Sequence, residues 1–268
     1  MNGRDLLIYL AVIHRGDRDK IIRDVTTHVY PDYEKVTETL KLVKCKTLTM
    51  IDADYPEYLR YCAAPPIVLF YYGDISLINR ENYKRNLAVV GTRKSTPYGR
   101  KHTANLVAGV AKECNIVSGL ALGIDATAHN AAIDNGTKTI AVLGSGIDYP
   151  WPTTNTKLYH DIINNGGLVI SEYPIDTPPE MRNFTLRNRL IVMFSKALLI
   201  TESRNAEGGV ACTATFAATV GKEVMCLPYP VEVEDSFTNR LIYEGAKLIR
   251  NANDILVDMD LKSISEAE

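Results

Sequence analysis

Residues 91–100, GTRKSTPYGR, put a glycine, a hydroxyl and a guanidinium in consecutive positions, and 93–101 carries four cations and no acid. That composition suits an anion. Gly91 permits a tight turn, Arg93 presents a forked cation that matches phosphate oxygens, and a helix expected from about Tyr98 aims unpaired amides at the same place. The dinucleotide fingerprint G-x-G-x-x-G is absent, because Thr92 and Arg93 follow Gly91 and the next glycine is Gly99. The competing reading makes both glycines simple turn formers and leaves Arg93 in solvent.

A second loop, SGLALGIDATAH (118–129), repeats the chemistry: Ser118 and Gly119 end an apolar run, Gly123 permits an unusual backbone angle, and Asp125 is placed to cap a helix. Side by side, the two loops predict a shared phosphate cradle. A third segment, MRNFTLRNR (181–189), holds three arginines and no acid, with Arg187, Asn188 and Arg189 at the mouth of a helix whose later residues are apolar. It either flanks the same groove or is a solvated face. Tyr98, Tyr149, Trp151, Tyr173 and Phe184 are interleaved with these runs; most aromatics are core, but rings beside a positive groove are also what single-stranded nucleic acid stacks on. His129 lies four residues after Asp125, on one helical face. No third ligand, nucleophile or H-E-x-x-H pattern accompanies the pair, so a packed histidine oriented by Asp125 is expected, with no catalytic residue, metal or cofactor.

The elements that must carry these loops alternate. Apolar runs at 87–91, 115–119, 139–144, 167–173, 197–203 and 223–228 are separated by helical patterns at about 98–113, 124–135, 155–165, 186–196 and 209–220. Non-alternating Val/Ile-rich runs between helices are parallel strands buried on both faces, which predicts an α/β, Rossmann-like, doubly wound and mostly parallel sheet. In such sheets ligands bind at the carboxyl ends of the strands, where all these loops fall. Upstream, residues 1–45 read as short helices and IVLFYYG (67–73) as a strand. A soft boundary is expected near residue 80, dividing an N-terminal helical region and connection (1–80) from a Rossmann-like domain (81–260) and a polar tail (261–268).

The 268 residues have a formal net charge of −2, 46% hydrophobic and 23% charged residues, a balance that gives nucleic acid no global attraction and leaves local runs to decide. No apolar run approaches the roughly 20 residues of a membrane helix. Five cysteines, odd in number and without a C-x-x-C pair, are expected to be reduced thiols of a cytoplasmic protein. The apolar segment 6–13 lacks a basic leader and a small-residue cleavage site and is expected to be a helix.

In order and spacing, VVGTRKSTPYG, SGLALGIDATAH, TIAVLGSGID, ISEYP, FTLRNRLI and NRLIYEGA resemble the DprA/Smf family of bacterial DNA-processing proteins over about residues 50 to 250. The resemblance implies an extended Rossmann domain, usually dimeric, that binds and protects single-stranded DNA in a positive pocket and helps load a RecA-type recombinase during DNA uptake and recombination, without catalytic turnover. It implies DNA contacts at Gly91, Thr92 and Arg93, at Ser118 and Gly119, and at Arg187, Asn188 and Arg189. Asn155 and Lys157, which follow the "WP" that replaces the family's "YP", are further candidates. The family's winged-helix extension is not expected. Departures gather in the C-terminal half: Thr185 replaces a proline before R-N-R, GGVACTA (208–214) has lost two hydroxyls of the family's motif, Tyr229 follows Pro228 in place of glycine, and a glycine is missing before NRLI.

Two other classes remain. A LOG-type nucleotide phosphoribohydrolase has a related core, but its P-G-G-x-G-T-x-x-E signature is met only by Gly208, Gly209 and Thr213, with no glutamate three residues on and Glu202 in a different place. A nucleotide-sensing module would use the same cradle for a small phosphorylated ligand.

Overall fold

The structure, a computed structural model, describes residues 2–28, 31–204, 208–230, 232–233 and 236–262. Three helices come first: α1 (Gly3–Ile13), α2 (Arg18–Thr26) and α3 (Tyr33–Leu42), each started by an Asn or Asp whose side chain accepts from a first-turn amide. Then follow β1 (Lys46–Thr49), α4 (Glu57–Arg60), β2 (Val68–Gly73), α5 (Arg80–Tyr83), β3 (Asn86–Gly91), α6 (Pro97–Val110), β4 (Asn115–Ser118), α7 (Ile124–Asp134), β5 (Thr139–Leu143), α8 (Thr156–Asn164) and β6 (Leu168–Ser171). The chain continues through α9 (Met181–Met193), β7 (Ala197–Glu202), α10 (Gly209–Thr219), β8 (Glu223–Cys226), α11 (Phe237–Tyr243), β9 (Lys247–Leu248) and α12 (Ala252–Asp258).

Among the described residues nine strands form one sheet in the order β1-β2-β6-β5-β4-β3-β7-β8-β9. Every pairing from β6 to β9 is parallel, and β1 and β2 add antiparallel to the β6 side. Alternation along β3 sorts its side chains between two layers. Leu87 and Val89 pack with α6, α7 and α12; Ala88 and Val90 pack with α9, α10 and α11. Both faces are covered, so the strands are continuous apolar runs. The chain leaves β3 toward β4 in one direction and returns to β7 on the other side, which makes the gap between β3 and β7 the switch point where such sheets open a crevice.

The sheet also crosses the boundary expected near residue 80. β2 pairs with β6 in the register Phe70 to Ser171 and Tyr71 to Ile170, and Leu7, Leu10 and Ile21 share a core with Phe70, Tyr159 and Val169. The polar stretch around residue 80 is a connection inside one folded unit: Asn79 accepts from the amides of Glu81 and Asn82 and starts α5. Cap chemistry and linker chemistry use the same residue types. Within the 261–268 tail, only Leu261 and Lys262 are described, and the expected fraying of 263–268 lies outside the described residues.

Candidate functional site

A cleft of about 590 Å3 opens at the switch point. The end of β3 contributes Gly91, Thr92, Arg93, Lys94 and Thr96, the α7 side Ala121 and Asp125, α9 Phe184, Arg187 and Asn188, and the β7 side Ser203 and Arg204. The start of α10, with Gly209, Val210 and Thr213, closes the far wall.

The first loop is held by backbone. The Thr92 amide donates to the Glu202 carbonyl (2.8 Å), and the Thr92 carbonyl accepts from the Ile124 amide (3.2 Å), which joins the first and second loops as the sequence suggested. Their close approach requires glycine at two places. A Cβ on Gly91 would meet the Glu202 carbonyl oxygen at 2.7 Å, and Gly123 has φ +78 with its missing side chain against the Thr92 and Arg93 backbone.

The amide end of α6 does not face the cleft as an open anion site. Thr96 caps that helix with its hydroxyl, Pro97 follows at the first position, and the fully buried Glu202 carboxylate takes the Thr96 amide at 2.9 Å and the Tyr229 hydroxyl at 3.1 Å. The protein supplies its own anion there. Tyr229, a departure from the family pattern, is thereby a partner of Glu202.

The second loop is also tied up internally. Ser118 is fully buried and its hydroxyl donates to the Val89 carbonyl at 2.7 Å. The Asp125 carboxylate accepts from the Gly119 amide (3.2 Å) and the Ala121 amide (3.3 Å), so it braces the loop before α7 and does not cap the helix, whose N-cap is Gly123 and which has no side-chain cap. Arg187, 4% exposed, donates to the Gly119 carbonyl at 2.7 Å and to the Val142 carbonyl. A Cβ on Gly119 would stand 2.7 Å from that guanidinium. Burial pulls the Arg187 pKa down to about 10, with the charge of Arg93 acting in the same direction and Asp125 opposing. Burial raises the Asp125 pKa against the pull of Arg187. The expected Asp125–His129 pairing is absent: His129 Nδ1 meets the Thr139 hydroxyl at 2.7 Å, its Nε2 has no partner, and burial lowers its pKa to about 3.

Of the ten residues the sequence singled out, the structure brings five to the cleft: Gly91, Thr92, Arg93, Arg187 and Asn188. Arg189 turns to another side of α9 and forms a bidentate pair with Glu172, both contacts at 2.6 Å, while donating to the Ala64 carbonyl. Adjacent helical residues point about 100° apart, so three consecutive polar side chains cannot all face one groove. Ser118 and Gly119 lie beneath the surface. Asn155 is buried and donates to the Leu120 and Ala121 carbonyls at 2.9 and 3.3 Å, and Lys157, with an 87% exposed side chain, pairs with Asp161 at 2.6 Å. Neither lines the cleft.

The sequence undervalued three contributors. Phe184 lies beside two cations, its ring centroid 5.7 Å from the Arg93 guanidinium and 5.9 Å from that of Arg187. Lys94 and Arg204 add charge at the rim. Among the described residues no carboxylate pairs with Arg93, Lys94 or Arg204. Arg204 was legible as the cation directly after the strand at the switch point. Phe184 was obscured because α9 starts at Met181, five residues before the apolar periodicity suggested.

The model of the family described as DNA recombination-mediator protein A matches residues 46–260. The DNA processing protein DprA of Streptococcus pneumoniae is 35% identical over 218 residues, 81% of this chain and 75% of that protein. Protein Smf of Synechocystis is 36% identical over 79% of this chain, which spans 53% of that relative's length. An X-ray structure of the S. pneumoniae protein superposes with TM-score 0.76 at 30% identity, covering 95% of both chains. A structure of Helicobacter pylori DNA processing protein A, described for its single-stranded DNA binding mode, gives TM-score 0.70 at 31% identity over 80% of this chain and 94% of that one. No helix among the described residues is long and apolar enough to cross a membrane. By the family match over most of its length and by these relatives, the chain belongs to the DNA recombination-mediator protein A family.

Proposed function

We propose that this protein binds single-stranded DNA in the cleft at the β3–β7 switch point, protects it, and delivers it to a RecA-type recombinase during DNA uptake and recombination, acting as a cytoplasmic homodimer without catalytic turnover. The observation that carries the reading is the Arg93–Phe184–Arg187 arrangement: an exposed guanidinium, an aromatic ring and a buried cation in one cleft, with Lys94 and Arg204 at its rim. Arg93 reaches backbone phosphate, which every strand carries, while Phe184 and the exposed Met181 offer a face to bases without reading them. The description of the H. pylori relative supports the single-stranded DNA element; the recombinase element rests on membership of a recombination-mediator family, and the dimer on the resemblance to that family.

A binding role is favoured over hydrolysis by what the carboxylates do. Glu202, the acid available to a phosphoribohydrolase mechanism, is buried against the Thr96 amide and the Tyr229 hydroxyl, and Asp125 is spent on two loop amides. Fluorescence anisotropy with a single-stranded oligonucleotide, its duplex and AMP at two salt concentrations tests the proposal. The oligonucleotide is expected to bind tightest, with log affinity falling by about 0.7 per phosphate contact per log unit of salt. Equal affinity for AMP and the oligonucleotide, with a flat salt response, would overturn it in favour of a mononucleotide sensor. Co-precipitation of a RecA-type recombinase tests the delivery step.

A further inference from the structure

The carboxyl ends of β3 and β7 open onto the cleft; their amino ends open onto a second concavity of about 700 Å3. Its walls carry three tyrosines and three cations: Tyr58 of α4, Tyr61 at the end of that helix, Tyr83, Arg80 and Lys84 at α5, and Lys196 before β7. Tyr58 and Tyr83 pack ring to ring at 4.7 Å, and the Tyr58 hydroxyl donates to the Ile78 carbonyl at 2.7 Å, so this aromatic wall is anchored. Tyr61 is 80% exposed. Behind Tyr83, the Lys222 ammonium lies 4.3 Å from the ring centroid and donates to the Ser195 carbonyl. Burial and then the charge of Lys196 lower its pKa to about 8. Two acids also line the groove, Glu57 and Asp260, and Asp260 reaches Lys196 at 3.3 Å from an 84% exposed position. Among the described residues Arg80 and Lys84 pair with no carboxylate.

We propose that this groove is a second ligand site and that it takes a nucleoside monophosphate, with the base against the tyrosine faces and the phosphate on Arg80, Lys84 and Lys196. The chemistry is complementary at both ends. Tyrosine walls favour a planar ring, unpaired Arg80 and Lys84 favour a doubly charged anion, and an anion there also relieves the crowding of Lys196 against Lys222. The volume lies within the roughly 300 to 1,000 Å3 of small-molecule pockets. No strand residue lines the groove, so an extended peptide finds no sheet edge to add to. Strand β7 separates Lys196 from Ser203, a span of about 23 Å at 3.3 Å per residue, so the groove and the cleft are distinct sites.

Isothermal titration calorimetry with AMP tests this in an Arg93→Ala background, which weakens anion binding in the cleft. One AMP per chain is expected there, with adenosine and inorganic phosphate each binding at least tenfold more weakly. Adding Arg80→Ala and Lys84→Ala should lower AMP affinity at least tenfold, and Tyr61→Ala, at an exposed position that does not hold the fold, at least threefold. Absence of heat at millimolar AMP in the Arg93→Ala protein overturns the proposal, as does AMP affinity unchanged by the Arg80/Lys84 or Tyr61 changes. With Arg93 intact, Arg80→Ala/Lys84→Ala should leave oligonucleotide affinity unchanged; a loss would make the groove part of a DNA path and overturn the assignment to a mononucleotide. The cleft reading fails on a separate observation, an oligonucleotide affinity that Arg93→Ala does not change.

Discussion

Arg93 and Arg187 both lie within 6 Å of the centroid of one phenylalanine ring and do opposite work. Arg93 sits on a loop, exposed, with no carboxylate partner among the described residues. Arg187 comes from the middle of α9, and its Nη1 donates to the Gly119 and Val142 carbonyls. Residue type is the same in both places; solvent access decides whether the charge can meet a ligand or only shape the floor beneath one. The buried arginine ties three elements together, the end of β4, the end of β5 and α9, and so fixes the surface on which the exposed one acts.

The largest expected effect tests the buried member. Arg187→Met keeps the volume but leaves the buried Gly119 and Val142 carbonyls without a donor, and each buried polar group left unsatisfied costs about 1–3 kcal/mol. Urea unfolding should register that loss. A Met variant as stable as the parent would mean Arg187 is no strut, and the contrast with Arg93 would collapse.

Next is Arg189→Ala. Its fork lies on Glu172 and its other donors on Ala64, so the change should destabilise by roughly 2–3 kcal/mol, the scale of charged hydrogen bonds in partly buried surroundings. The salt slope of oligonucleotide binding should stay as it was. A flattened slope would return Arg189 to the DNA-contacting set.

The layer under the cleft should also be sensitive to acid. His129 is buried and its pKa falls to about 3, below the unfolded value of about 6.5. Below pH 6.5 the unfolded chain therefore binds a proton that the folded chain refuses, so stability falls as pH falls through that window, by roughly 2 kcal/mol between pH 6.5 and 5. Asp125, with its pKa raised, works in the opposite direction in more acidic solution. Denaturant midpoints at pH 7.5 and 5 should differ in the parent and converge in His129→Gln; a pH-independent parent midpoint over this range would contradict the assignment.

Much of this architecture could be read from the sequence because parallel strands buried on both faces leave unmistakable apolar runs. All six core strands begin and end within two residues of the positions those runs mark, and strand order then puts the cleft where β3 and β7 diverge. Individual contacts were harder to read. Motifs mark a loop, and facing is set by packing: in R-N-R, Arg187 turns inward to the floor of the cleft, Asn188 lines its wall, and Arg189 goes to Glu172. Ser118 and Asn155 have hydrogen-bonding types that suit a ligand equally well, and only the Val89, Leu120 and Ala121 carbonyls opposite them identify them as braces. The antiparallel edge was hidden for a different reason. Its strands sit beyond a capped turn whose composition matches a linker, and long-range pairing of β2 with β6 has no local signature.

Arg93→Ala tests the exposed member directly. With no carboxylate partner to lose among the described residues, it should change stability by less than about 0.5 kcal/mol, as a surface substitution does. It should nevertheless lower oligonucleotide affinity about tenfold, equally for poly-dT and mixed sequence, because phosphate contacts carry no base information. A sequence-dependent loss in gel-shift titrations would place Arg93 on a base edge and change the account of the cleft.

The smallest expected effect separates a charged surface from a charged site. Lys157 and Asp161 form an i,i+4 pair on α8 with the lysine 87% exposed, an arrangement worth about 0.3–0.5 kcal/mol at low salt and less when screened. Lys157→Ala should therefore shift the urea midpoint barely beyond error and leave both the affinity and the salt slope for single strands intact. Distance in sequence from the "WP" does not decide the outcome; what decides it is that this ammonium already has a carboxylate while Arg93 has none among the described residues. If Lys157→Ala weakened binding as much as Arg93→Ala, the strand would have to run over α8, and an existing ion pair would no longer distinguish structural cations from those that meet DNA.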